Sequence, residues 1–347
     1  MSLVQHCRKF VAIASLAFVT ASHAVAGPYT GLYIFGDSLS DSGNAALAGV
    51  INAGQSVTSN AYVPSAAYAS GTFSNGPVWS TQFATLLGLP LTPSIAGGTN
   101  YAIGGAKTSG GTPFTSLVTQ VGSTVPGPAS PFGSLLSPTN ASVPSGALYV
   151  IAGGGNNARD AFSAVLASPA NSASIISAAA SQYASDVLGM VHTLKNAGAQ
   201  SIIVWNTPNI GLTPLATTLN GLVNPLASTY ASATATALNN ALGSALAGES
   251  GVQIFDTYGF LTNTVVGVLT TPGGYNGLNN ALGACGFVGG CGSSIFYDGI
   301  HPTTYAHSLL AQQMFALAVP VPEPAEYALM LLGLAVVAGA ARRRARA

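Results

Sequence analysis

Three stretches of this 347-residue chain hold side chains that could do chemistry together. In FGDSLSDSGN, residues 35–44, Asp37, Ser38, Ser40, Asp41 and Ser42 crowd directly behind an apolar run. A buried strand ending abruptly in Gly-Asp-Ser presents a hydroxyl at a sheet edge, where open α/β folds bind ligands. In YDGIHPTTYAH, residues 297–307, Asp298 precedes His301 by three residues. One short turn then carries both groups, so the carboxylate can hold the imidazole in one tautomer. A base fixed this way could take a proton from a serine that the fold brings near. Each stretch, read alone, fits a capped helix start better. The third stretch, CGFVGGC, holds Cys285 and Cys291.

These groups need elements to position them. Apolar, β-branched runs predict strands at 31–35, 100–103, 147–152, 201–206 and 252–256, with helices at 78–88, 114–121, 173–197, 226–247 and 303–317. Strand–helix alternation of this kind implies a parallel sheet covered on both faces. The Pro-, Ser-, Gly- and Thr-rich stretch 122–146 reads as a long loop, a connection or a lid. Of the three histidines after residue 26, His192 falls mid-helix in an ordinary packed or half-exposed position. Six residues separate His301 from His307 and put them on different helix faces, which disfavours a metal site with Asp298. No metal or cofactor is expected.

Composition narrows the function classes. Charged residues make up 5% of the chain, against roughly a quarter in ordinary domains. Between Gly27 and Pro320 only Lys107, Arg159 and Lys195 face seven acids (Asp37, Asp41, Asp160, Asp186, Glu249, Asp256 and Asp298), a net charge of −4. Nothing resembles the basic stripe of a nucleic-acid binder.

Both ends read as addresses. Residues 1–26 run from His6, Arg8 and Lys9 through FVAIASLAFVT to AVA, the plan of a secretory signal. Export also makes a disulfide the default for Cys285 and Cys291, Cys7 being lost with the leader. At the other end, Pro322-Glu323-Pro324 precedes a fifteen-residue apolar run, Tyr327–Ala341, and Arg342, Arg343, Arg344 and Arg346. The run is a short but usable membrane span whose arginines would face the cytoplasm. This three-part tail, 319–347, resembles the PEP-CTERM sorting signal of Gram-negative bacteria. The resemblance implies transient membrane contact, processing by an exosortase, and release at the cell surface or beyond.

Four blocks in chain order carry a further resemblance. FGDSLSDSGN, NYAIGGA (100–106), VIAGGGNNARD (150–160) and YDGIHPT are similar to the four blocks of the GDSL, or SGNH, hydrolases. GTFSNGPVW (71–79) and NTPNIG (206–211) also resemble stretches of bacterial members. The resemblance implies a flavodoxin-like three-layer α/β fold over 27–318, with about five parallel strands. Position by position, Ser38 matches the nucleophile, His301 the base and Asp298 the acid that orients it. Ser38, Gly105 (with Gly104 a near rival) and Asn156 match the oxyanion donors. Asn157 stands where many members have Asp, which bears on loop support. Position 40 is Ser, so Gly-x-Ser-x-Gly is missing and the α/β-hydrolase elbow is disfavoured.

The implied activity is a secreted carboxylester hydrolase, an esterase or lipase working through an acyl-enzyme on a small, lipid or acylated-polymer ester. The rival classes are a polysaccharide O-deacetylase and a non-enzymatic matrix protein retaining the fold. Matrix binding gives no reason to keep Ser, Gly, Asn, Asp and His all in place.

Overall fold

Four apolar runs form the central sheet: β1 (Leu32–Gly36), β2 (Leu148–Ala152), β3 (Ser201–Trp205) and β4 (Val252–Phe255). They lie in that spatial order and all run parallel. The computed structural model describes residues 28–51, 68, 70–110, 116–122, 132–288, 290–319, 332–334 and 342–343. The expected leader and almost all of the expected tail lie outside them.

The helices are α1 (Asn44–Leu47), α2 (Trp79–Leu87), α3 (Leu117–Val121), α4 (Gly155–Ala167), α5 (Ser172–Asn196), α6 (Pro214–Leu222), α7 (Ala227–Ala245), α8 (Thr257–Thr270), α9 (Cys285–Val288) and α10 (Thr304–Ala318). Alternation along each strand sorts the sheet's side chains into two cores. Ile34, Val150, Ile203 and Trp205 pack against Trp79 and Phe83 of α2 and Leu310 and Met314 of α10. Phe35, Tyr149, Ile151 and Val204 pack against α3, α5 and α7 through Leu117, Tyr183, Val187 and Leu238. With both faces covered, the strands read as nearly continuous apolar runs, as a parallel sheet requires.

The expected strand at 100–103 needs correction. The segment does lie beside β1: Ile34 N–H donates to Thr99 O at 3.0 Å, Tyr101 N–H to Ile34 O at 2.8 Å, and Ile103 N–H to Gly36 O at 3.1 Å. It does not become a regular strand, and on its outer edge, away from β1, Asn100 Oδ1 accepts from the Ala102 N–H at 3.0 Å. The sheet thus has four strands plus one irregular edge, in the order 100–103, β1, β2, β3, β4. The winding reverses between β1 and β2, and ligands of open α/β sheets bind beyond the strand carboxyl ends at such a reversal.

Helices α2, α3, α5, α7 and α10 stand close to their sequence-based positions, whereas the longer α4, α6 and α8 and the single-turn α1 and α9 are not revealed by periodicity. A small parallel pair, β5 (Asn280–Ala284) and β6 (Ser294–Phe296), sits apart from the main sheet. Of the 122–146 loop, 123–131 lie outside the described residues. Its buried Leu135 and Leu136 dock on α3 by donating to Gln120 O and Val121 O at 3.0 and 2.9 Å.

Candidate active site

Ser38 stands two residues past the end of β1, in a turn that the neighbouring acids hold closed. The N–H groups of Ser40 and Asp41 both donate to Asp37 O at 3.0 Å. Asp37 Oδ1 accepts from Leu39 N–H at 3.0 Å. Asp41 accepts from Gly43, Ala45 and Gly104 N–H at 2.8, 3.1 and 3.0 Å. Burial raises both carboxyls to about 6, against the pull of these bonds. Gly36 permits the turn: a Cβ there would stand 2.6 Å from Ala152 O on the adjacent strand. Gln120 then clamps the Gly36 peptide from α3, its amide donating to Gly36 O at 2.9 Å and accepting from Gly36 N–H at 2.8 Å.

The loop between β6 and α10 brings the second stretch to the same place. His301 Nε2 lies 2.8 Å from Ser38 Oγ, and His301 Nδ1 lies 2.7 Å from Asp298 Oδ2. Asp298 is fully buried and His301 is 3% exposed. With the ring proton on Nδ1, the imidazole donates to Asp298 and accepts from Ser38. Asp298 Oδ1 also accepts from the N–H groups of Ile300 and His301 at 2.8 and 2.7 Å. Burial pushes its carboxyl up, but His301, the Tyr68 hydroxyl and the backbone donors outweigh burial and hold it at about 2.

Two further anchors fix this loop. Ser74 of the 71–79 stretch donates to Pro302 O at 2.8 Å, and Asn75 Oδ1 accepts from Thr304 N–H at 2.8 Å. A disulfide joins Cys285 to Cys291, and Gly286 N–H donates to Tyr297 O at 2.8 Å, next to Asp298.

The two middle blocks supply donors. Asn156 is the second residue of α4, and its Nδ2 spends one proton on Ala106 O at 2.9 Å, leaving the other to point elsewhere. Gly104 and Gly105 separate cleanly. Gly104 N–H is committed to Asp41, and a Cβ at Gly104 would run into the Phe73 ring, which itself lies against His301. Gly105 has φ +81°, and no described group accepts from its N–H or from that of Ser38.

A cavity open to solvent runs from Ser38, His301 and Asn156 between α4, α6 and α8. Most of its wall is apolar, including Phe162, Ile210, Leu215, Phe260 and Ile300.

The family model for GDSL-like lipase/acylhydrolase matches residues 32–314. The chain belongs to that family. Two curated relatives also match: Lipase 1 of Photorhabdus luminescens, 33% identical over 58% of this chain and 25% of that protein, and the uncharacterized protein in the trpE-trpG intergenic region of Pseudomonas putida, 30% identical over 58% of this chain and 32% of that protein. The chain thus spans about a quarter to a third of the length of these relatives. A second model, the PEP-CTERM protein-sorting motif, matches residues 320–345 and marks this GDSL-family chain for export. Among the described residues no helix is long and apolar enough to cross a membrane.

Relative to the GDSL pattern, the Asn at 157 keeps the loop support. Asn157 Oδ1 accepts from Thr108 N–H at 3.0 Å while its Nδ2 donates to Thr108 Oγ1 at 2.8 Å. Tyr68 has no counterpart in the sequence reading: its hydroxyl donates to Asp298 Oδ2 and lies 3.2 Å from His301 Nδ1. His192 pairs at the surface with Glu249 at 2.8 Å. No group of three His, Cys, Asp or Glu among the described residues could hold a metal ion.

Proposed function

We propose that this GDSL-family protein is an exported serine carboxylester hydrolase. The observation that supports it most is the hydrogen-bonded run from Ser38 Oγ through His301 to Asp298, at 2.8 and 2.7 Å. Ser38 Oγ attacks the ester carbonyl carbon as its proton passes to His301 Nε2. The imidazolium forms beside the buried, ionised Asp298, which lowers the energy of that charge separation. The carbonyl oxygen, now an oxyanion, receives the N–H groups of Ser38 and Gly105 and the free proton of the Asn156 amide. One such donor is typically worth about 3 kcal/mol in the transition state.

The tetrahedral intermediate collapses as His301 returns the proton to the leaving alcohol, which leaves an acyl-enzyme on Ser38. Water, deprotonated by the same nitrogen, repeats the sequence and frees the acid. The apolar cavity favours an acyl ester over the acetyl group of a polysaccharide, whose sugar hydroxyls would find few partners on such walls. Outside the site, exosortase-type processing of the tail at Pro322-Glu323-Pro324 completes this reading.

The test is a rate panel of p-nitrophenyl esters from acetate to palmitate, run beside an acetylated polysaccharide. Medium or long acyl esters are expected to lead. Ser38→Ala and His301→Ala should fall to a common floor, with the double variant little lower, because the two act as one unit. Asp298→Ala should keep about a tenfold advantage over them. Asn156→Ala should lose roughly 100-fold in kcat with KM unchanged. A well-folded Ser38→Ala protein hydrolysing esters at near wild-type rate would overturn the mechanism.

A further inference from the structure

Arg159 stands three residues after Asn156 on α4, and both line the cavity. Residues three apart share a helix face, with Cβ atoms roughly 5–6 Å apart. The guanidinium therefore reaches the cavity from the same wall as the amide beside Ser38.

The charge pattern around it is unusual. Of the three basic residues between Gly27 and Pro320, Lys107 pairs with Asp160 at 2.7 Å and Lys195 with Glu249 at 2.6 Å. Arg159 forms no ion pair among the described residues. The one carboxylate on the cavity wall, Asp37, turns Oδ1 to the Leu39 N–H and holds the nucleophile turn. A half-buried guanidinium on a largely apolar wall loses water at a cost in free energy, and Asp37, whose carboxyl Arg159 helps to hold down, returns only part of it because the two form no direct ion pair. The guanidinium does fit an incoming anion, since its planar fork matches a carboxylate or phosphate with two parallel hydrogen bonds.

We infer that Arg159 forms an anion subsite that selects esters carrying a carboxylate or phosphate close to the scissile bond. The selectivity rests on the serine-hydrolase reading above; the anion binding does not. Residues on the apolar wall would hold the hydrocarbon part of such a substrate while Arg159 fixes its charged end.

Two assays on the exported protein test this. The first compares kcat/KM for p-nitrophenyl butyrate with the mono-p-nitrophenyl ester of glutaric acid, which puts the anion on the acyl side. A butyrate ester of a hydroxyalkyl phosphate, set against that of the neutral alcohol, puts it on the other side. Arg159→Leu is expected to lower kcat/KM for one anionic ester by about 10- to 100-fold, the usual size of a charge-assisted hydrogen bond, through KM. Its loss on that anionic ester should exceed its loss on the matched neutral ester by at least tenfold, and Arg159→Lys should recover part of the difference. Whichever pair responds identifies the source of the anion. Equal losses on neutral and anionic esters, or none on either, would overturn the proposal.

The second assay needs no turnover. Octanoate and octyl phosphate are compared with octanol in thermal-shift titrations of wild type and Arg159→Leu. At least one anion should raise the wild-type Tm more than octanol does, and should lose that advantage in the variant. If no ester is cleaved, the hydrolase reading has failed while this titration still decides the anion site; no Arg159-dependent shift would reject it.

Discussion

His307 sits on α10, is 1% exposed, and has no described group bonding either ring nitrogen. Burial, helped by the nearby His301, holds its pKa down to about 3 in the folded protein, against an ordinary 6.5. The unfolded chain therefore takes up this proton first as pH falls. Stability is lost progressively from about pH 6.5 towards pH 3. At about 1.36 kcal/mol per pH unit, the loss comes to about 2 kcal/mol between pH 7 and pH 5, and to about 4 kcal/mol by pH 3.

Three buried carboxyls overlap this window. Asp37 and Asp41, raised to about 6, protonate first in the folded state and so favour it as pH falls from 6 towards 4. Asp298, held at about 2, costs stability only below about pH 4. The readout is therefore the difference between wild type and His307→Leu, since all three carboxyls remain in both. Urea unfolding at pH 7 and pH 5 should show the variant's relative stability rising by about 2 kcal/mol on acidification, whatever constant offset repacking adds. A gap that stays constant within about 0.5 kcal/mol would refute the buried, neutral imidazole.

Other perturbations separate roles that the geometry distinguishes. Tyr68→Phe removes a donor to Asp298 and should lower kcat about tenfold with KM unchanged; wild-type kcat would reduce Tyr68 to packing. Gly104→Ala drives a methyl into Phe73 and should cost about 1–3 kcal/mol in denaturant unfolding. Gly105→Ala meets no neighbour but must adopt a positive φ, at about 1–2 kcal/mol, and should lose kcat while staying folded. Reducing Cys285–Cys291 should cost about 2 kcal/mol by the loop-entropy estimate, checked by unfolding with and without reductant. Free thiols in the unreduced, alkylated protein would contradict the bond itself.

What could be read beforehand depended on how local each signal was. Ser38, Asp298 and His301 stand out because polar groups cluster at a strand end and before a helix in a chain almost free of charge. The four strands were legible as short β-branched runs. Asn100–Ile103 was not: its composition is strand-like, but it bonds a single regular strand, β1, and turns its outer Ala102 N–H onto the Asn100 side chain. Helix α4 opens on Gly155-Asn156-Asn157, which reads as a turn, and α8 is rich in β-branched residues. Thr213-Pro214 at the start of α6 was a readable cap and first-turn proline. Tyr68 and Gln120 act across 230 and 84 positions, and no spacing rule points to partners so far away. Gly104 and Gly105 were equivalent on paper; only the position of Phe73 and the Asp41 bond tells them apart.

The distance along the chain between Ser38 and His301 has a kinetic consequence. Their hydrogen bond closes across 263 residues, and β1 pairs on one side with a segment some 65 residues later and on the other with one well over 100 later. Contacts of such high order form slowly, because loop closure precedes any gain from the pairing. Before the loop ahead of α10 docks beside the end of β1, Ser38 has no base within reach, so the proposed site can arise only in the folded chain.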